Sequence, residues 1–92
     1  MKKPCSDRTR KIIREILNGK TFTLAGKERG LHHVTIRTIF MTGILRIAPD
    51  LWEEGKAAQW CGAYATPSVV WLRVHKDRVF AKLNAEAREE GQ

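Results

Sequence analysis

Two glycines four residues apart, Gly26 and Gly30, constrain this chain more than any other feature. They lie in Thr23-Leu24-Ala25-Gly26-Lys27-Glu28-Arg29-Gly30-Leu31, followed by His32-His33-Val34-Thr35-Ile36-Arg37-Thr38-Ile39. Two short helices that cross at ~90–120° through a 3–4-residue turn need a small residue where their backbones approach. They also need a residue at the turn that tolerates a left-handed backbone. Gly26 meets the first need and Gly30 the second. Leu31 then anchors the turn, while Ile36 and Ile39, three apart, give the second helix an inward face. The outward face is left to His33, Val34, Arg37, Thr38 and Met41.

This arrangement reads as a helix-turn-helix. The residues Gly26-Lys27-Glu28, Gly30, and Ile36-Arg37 followed by Ile39 make it resemble the helix-turn-helix of region 4 of sigma-70-type factors, a module also found in response-regulator effector domains and phage regulators. The resemblance spans roughly residues 21–45. It implies binding of double-stranded DNA with the second helix in the major groove, and base contacts from His33, Val34, Arg37 and Thr38; Met41 joins them from its outward placement. Ala25, Arg29 and Val34 depart from the sigma pattern, and nearly fifty residues follow the second helix. The reading is therefore a small stand-alone regulator of phage or bacterial type rather than a promoter-recognition subunit.

Charge agrees with that expectation. The 92 residues carry a net charge of +7 and a pI near 9.9, as neutralisation of DNA phosphates requires. Lys20, Lys27 and Arg46 are phosphate candidates by position, joined by Thr23, His32 and Thr35. A membrane-surface role would use the same charge but needs a long amphipathic helix, and no signal peptide or run of ~18 apolar residues is present. A cytoplasmic protein without membrane partners is expected. Cys5 and Cys61 form no CxxC pair, and no His-x-x-x-His occurs, so neither a metal site nor a cofactor is expected. The two cysteines read as free thiols of a reducing compartment. His32 and His33 are adjacent, and neighbouring helical side chains diverge by ~100°, too far to share one ion.

Local signals order the rest. Ser6 or Asp7 can cap a first helix, whose Ile12, Ile13, Ile16 and Leu17 form an apolar stripe ringed by Lys3, Arg8, Arg10, Lys11 and Arg14. Asn18-Gly19 ends it. Thr21 or Thr23 caps the second helix. The third runs from His32 or His33 to near Leu45, with Ile36, Ile39, Phe40 and Ile44 inward. Gly43, costing roughly 1 kcal/mol in a helix interior, is expected to fray or end it. Ile47-Ala48-Pro49-Asp50 is a break, because the residue before proline avoids helical geometry. Pro49 or Asp50 opens a fourth helix toward Trp60, with Glu53 and Glu54 near its start.

Gly62 to Pro67 reads as a turn, with Thr66-Pro67 a sound helix start. Two readings then compete: one helix over 67–89 with Leu72, Val79, Leu83 and Ala87 on one side, or a wing of strands Val69–Val74 and Arg78–Phe80. The helix fits better, since the turn His75-Lys76-Asp77 lacks glycine and the apolar run does not alternate. Its apolar side would serve a homodimer interface or the monomer core. Trp52, Trp60 and Trp71 are core anchors or, for one of them, a protein-contact hot spot. No phosphate loop, nucleophile motif or opposed carboxylate pair suggests an enzyme.

The expectation is a mainly α-helical small bundle, residues 1–48 forming the DNA-binding region and 49–92 a helical extension within one domain. Its expected role is transcriptional regulation through double-stranded DNA, as a homodimer, with helix 33–45 in the groove. The alternative is a phage- or plasmid-type protein that binds RNA polymerase or a nuclease complex through the same scaffold; RNA binding ranks behind, for want of an aromatic RNA-binding motif.

Overall fold

The computed structural model describes residues 6–58 and 67–90, with side chains through Glu86. Six helices make up these residues: α1 (Asp7–Leu17), α2 (Phe22–Arg29), α3 (His33–Ile47), α4 (Pro49–Ala57), α5 (Val69–Val74) and α6 (Lys76–Glu90). The described residues include no strand. Lys3, Cys5, Trp60, Cys61 and the turn from Gly62 to Thr66 lie outside them, as does the side chain of Ala87.

Local chemistry sets the first three helices. The Ser6 hydroxyl accepts the Thr9 N–H at 3.2 Å and starts α1; Asn18 closes it, followed by Gly19 at φ +112°. Thr21, not Thr23, caps α2, its hydroxyl accepting the Leu24 N–H at 3.1 Å. Gly30 ends α2 with φ +68°, in the left-handed region that an L side chain resists. The Leu31 N–H then donates to the Gly26 carbonyl at 2.8 Å. A Cβ on residue 26 would collide with the Leu31 carbonyl oxygen, so glycine there is a condition of the turn.

Gly43 does not end α3, contrary to the propensity argument. The helix continues to Ile47, and residue 43 is buried. A Cβ there would stand 2.7 Å from Thr9 Cγ2 and 2.8 Å from Ile13 Cδ1. Close packing of α1 on α3 thus offsets the intrinsic cost of glycine. Phe40 and Phe22 meet edge to face on α2's side, with ring centroids 5.7 Å apart.

Pro49 occupies the first turn of α4, where its missing N–H costs nothing. Asp50 is the acidic residue of that turn; Glu53 and Glu54 fall beyond it. The C-terminal segment is helical, so the wing is overturned, but it is two helices rather than one. Ser68 caps α5 through the Val70 N–H at 3.2 Å, and the chain turns at His75, whose φ of −103° and ψ of +23° leave the helical region. The His75 carbonyl accepts the Arg78 N–H at 3.0 Å and opens α6. Leu72 from one helix and Val79 and Leu83 from the next join a single core with Ile12, Ile13, Ile16, Ile36, Phe40, Ile44 and Leu51. The expected stripe of Leu72, Val79 and Leu83 therefore faces the monomer core. Val70 and Val74 remain 67% and 74% exposed. Trp52 is buried in the core and Trp71 packs against it. Arg73 locks α5 to the end of α1, its Nε donating to the Ile16 carbonyl at 2.9 Å and a terminal nitrogen to the Lys20 carbonyl at 3.1 Å. Among the described residues no helix is long and apolar enough to cross a membrane.

The two glycines of the α3 interface differ in what a methyl group would strike: backbone at residue 26, side-chain ends at residue 43. Gly26→Ala is expected to lower stability by about 1–3 kcal/mol. Gly43→Ala should change it by less than about 1 kcal/mol, because its gain in helix propensity opposes the displacement of Thr9 and Ile13. Urea midpoints of the two variants check this order.

Candidate nucleic-acid interface

The helix α3 is buried on one side by Ile36, Phe40, Gly43 and Ile44 and open on the other. Its exposed residues are His33, Val34, Thr35, Arg37, Thr38, Thr42, Leu45 and Arg46. At 3.6 residues per turn, Val34, Thr38, Thr42 and Leu45 form one outward ridge. Arg37 flanks the ridge on one side, Thr35 and Arg46 on the other. Val34 is 54% exposed and Leu45 45%.

Met41 corrects the sequence expectation: it is 5% exposed and belongs to the core. Its helical neighbours at i+3 and i+7, Ile44 and Ala48, are buried too, on the side of α3 shared with Arg37. Both α4 and α6 pack on α3. The stripe Met41, Ile44, Ala48 was legible in the sequence; assigning it inward would have placed Thr42 and Leu45 outward in Met41's stead.

Around the ridge, His32 caps α3, its Nδ1 accepting the Val34 N–H at 3.2 Å. That ring is tied to the helix start, with the His33 ring 4.3 Å away. Thr38 donates its hydroxyl proton to the Val34 carbonyl at 3.0 Å, so outward it offers a methyl group and oxygen lone pairs. Thr23, Lys27 and Thr35 are exposed. Lys20 is not available in the same way: its ammonium lies between Glu15, at 3.1 Å, and Glu28.

Lys20 belongs to a network that ties α1 to α2. Glu15 accepts from both terminal nitrogens of Arg29, at 3.0 and 2.8 Å. The bidentate Arg29 contact, with Lys20 beside it, lowers the Glu15 carboxyl from 4.5 to about 2 against the opposing effect of burial. Glu15 in turn raises Arg29, and Glu28 with Glu15 raises Lys20. Arg29 is thus a paired charge.

Such pairing decides where positive charge is left over. Residues 1–48 hold eleven Lys and Arg against three Asp and Glu, and residues 49–92 six against seven. In the second half Lys56 pairs with Glu53, Arg78 with Glu54 and Lys82 with Asp50. Arg10, one of the cations ringing the α1 stripe, which could be solvated or contact phosphate, is instead buried and bonds Asp7 at 3.2 Å and Glu86 at 3.1 Å. No carboxylate among the described residues pairs with Arg8, Lys11, Lys27 or Arg46. These four lie on α1, α2 and α3. Three or more metal-ligating side chains do not gather anywhere among the described residues. No family model, curated protein or solved structure matches this chain.

The Glu15 network carries a pH signature. A carboxyl held below its ordinary value stabilises the fold fully above pH 4.5, and that contribution fades as pH falls toward about 2. Melting temperatures followed from pH 6 to about 2 should fall less steeply in Glu15→Gln than in the wild type, the variant being less stable at neutral pH and converging on it in acid.

Proposed function

We propose that the chain is a sequence-specific double-stranded DNA-binding regulator of transcription, with the α2–turn–α3 unit acting as a helix-turn-helix. The observation that carries this reading is the uncovered ridge of α3, on a bundle whose Arg8, Lys11, Lys27 and Arg46 have no carboxylate partner among the described residues. A helix with its side chains is ~10–12 Å across, and the major groove of B-DNA is ~12 Å wide. The N-terminal half of α3 would read bases: Arg37 a guanine through O6 and N7, Val34 a thymine methyl group, Thr38 a donor edge or a methyl, and His33 either a base or a phosphate. Lys27, Thr23, Thr35 and Arg46 would hold the sugar-phosphate backbone. Regulation of transcription is drawn from the resemblance to sigma region 4, and a cytoplasmic site of action follows from that role. Pairing into a homodimer would rest on the exposed Val70 and Val74, since Leu72, Val79 and Leu83 are consumed by the core; its operator would then be an inverted repeat.

A protein partner such as RNA polymerase on the same face is the competing reading, favoured by the exposed Val34 and Leu45. Selection of bound duplexes from a random pool separates the two. On the DNA reading one motif is enriched, and Arg37→Ala weakens binding to it by about 1–3 kcal/mol while relaxing preference at one base pair. An unenriched pool, or an Arg37→Ala protein with unchanged affinity and preference, would sink the DNA reading.

A further inference from the structure

Beside the ridge of α3, a cleft of about 240 Å³ opens toward α1, lined by Thr9, Thr38, Ile39, Thr42, Gly43 and Arg46. It exists because residue 43 has no side chain: a Cβ there would stand 2.7 Å from Thr9 Cγ2, so Thr9 is drawn against α3. The polar groups around it are all donors or neutral. Thr42 and Arg46 lie one helical turn apart and have no hydrogen-bonding partner among the described residues. The Thr9 hydroxyl contacts that of Ser6 at 3.0 Å, and with Ser6 as the donor the Thr9 proton is left to donate to an anion in the cleft. Thr9 also stands in the first turn of α1, the positive end of that helix. Thr38 gives its proton to the Val34 carbonyl and contributes only a wall.

A second cleft, between α1 and α2, shows the contrast. Arg8, Lys11 and Arg29 line it, but so do Glu15 and Glu28. Their carboxylates repel an anion. The α1–α3 cleft has no acidic lining residue.

Its place on α3 indicates which anion. A helix seated in the major groove nearly fills it, so the two sugar-phosphate strands press against the helix flanks and not its ridge. The cleft lies on the flank toward α1, between the ridge residue Thr42 and the first turn of α1. We infer that the Thr9–Thr42–Arg46 cleft seats one backbone phosphodiester of the duplex that α3 reads, Arg46 supplying charge and the two threonine hydroxyls supplying directed hydrogen bonds. This rests on the DNA reading and extends it: the cleft fixes how deep and at what angle α3 enters, and carries no base information.

The test uses the full chain and its selected duplex, with single phosphates replaced by uncharged methylphosphonates along both strands. One replacement should weaken wild-type binding roughly ten-fold, as loss of a charge-assisted contact does. Arg46→Ala should cause a similar loss on the native duplex and be insensitive to that same replacement. Its plot of log K against log salt should be shallower by about 1, with base preference unchanged. Thr42→Val should lose affinity with the salt slope kept. Both residues are exposed, and equal melting temperatures will show that the variants fold. The inference is overturned if Arg46→Ala and Thr42→Val bind as the wild type does, if Arg46→Ala changes base preference, or if its loss simply adds to that of every methylphosphonate. It is also overturned if inorganic phosphate alone saturates the Thr42 and Arg46 resonances, which would make the cleft a free-anion site. A wild-type chain that binds no duplex removes the DNA reading itself, whereas the other failures leave that reading standing.

Discussion

The carbonyl oxygen of Leu31 stands where a side chain on residue 26 would begin, and the same short stretch is closed by the Leu31 N–H donating to the Gly26 carbonyl. Close approach and hydrogen bond are one contact seen from two sides. Together with the left-handed backbone of Gly30, it fixes where α2 ends and the direction in which the chain sets off into α3. Gly43 makes a second pin farther along, where α1 closes on α3. A helix held at two separated points against two different partners cannot roll about its axis. Which residues of α3 meet solvent is settled by these contacts rather than by the exposed residues themselves.

Electrostatics follow from the same frame. Glu15 and Glu28 are drawn inward to Arg29 and Lys20, and Glu86 reaches from α6 to the buried Arg10. Glu15, Glu28 and Glu86 are thus spent on ties between segments of the bundle. What remains unneutralised on α1, α2 and α3 is an excess of cations, and salt weakens long-range effects of exposed charge far more than it weakens the partly buried Glu15 network. A single sequence thus carries two kinds of charge with different jobs.

The helices were legible wherever the deciding chemistry is local. Ser6, Gly30 and Pro49 announce their roles within a turn of themselves, and the α1 stripe lies inward as its spacing demands. What failed to show in the sequence depends on distant partners. The propensity of Gly43 argues for a helix end, and only Thr9 and Ile13 on another helix explain why the helix continues. Met41 looked outward because a third and fourth neighbour for α3 were not anticipated. The break at His75 has neither glycine nor proline to mark it, and an unbroken helix would also have placed Leu72, Val79 and Leu83 on one face. Arg8, Arg10 and Arg29 look alike as text; that Arg10 is buried between Asp7 and Glu86, that Arg29 is paired with Glu15 and that Arg8 is exposed is a property of the assembled bundle. Of the candidate interface, His33, Val34, Arg37 and Thr38 were readable as an exposed set, while the cleft beside Arg46 needed the packing of α1.

The hold of Arg73 on a carbonyl near the end of α1 and on one in the turn that follows bears on how the molecule is made. Residues 6–48 leave the ribosome first, yet the end of α1 is closed by a guanidinium from α5, and its isoleucine face is covered by side chains from α5 and α6. A nascent chain halted before residue 69 carries every residue of the α3 ridge but lacks the groups that finish the core. Unfinished chains would therefore present apolar surface to chaperones and proteases instead of a set α3. On this account α3 is held rigidly only once the chain has been made through α6.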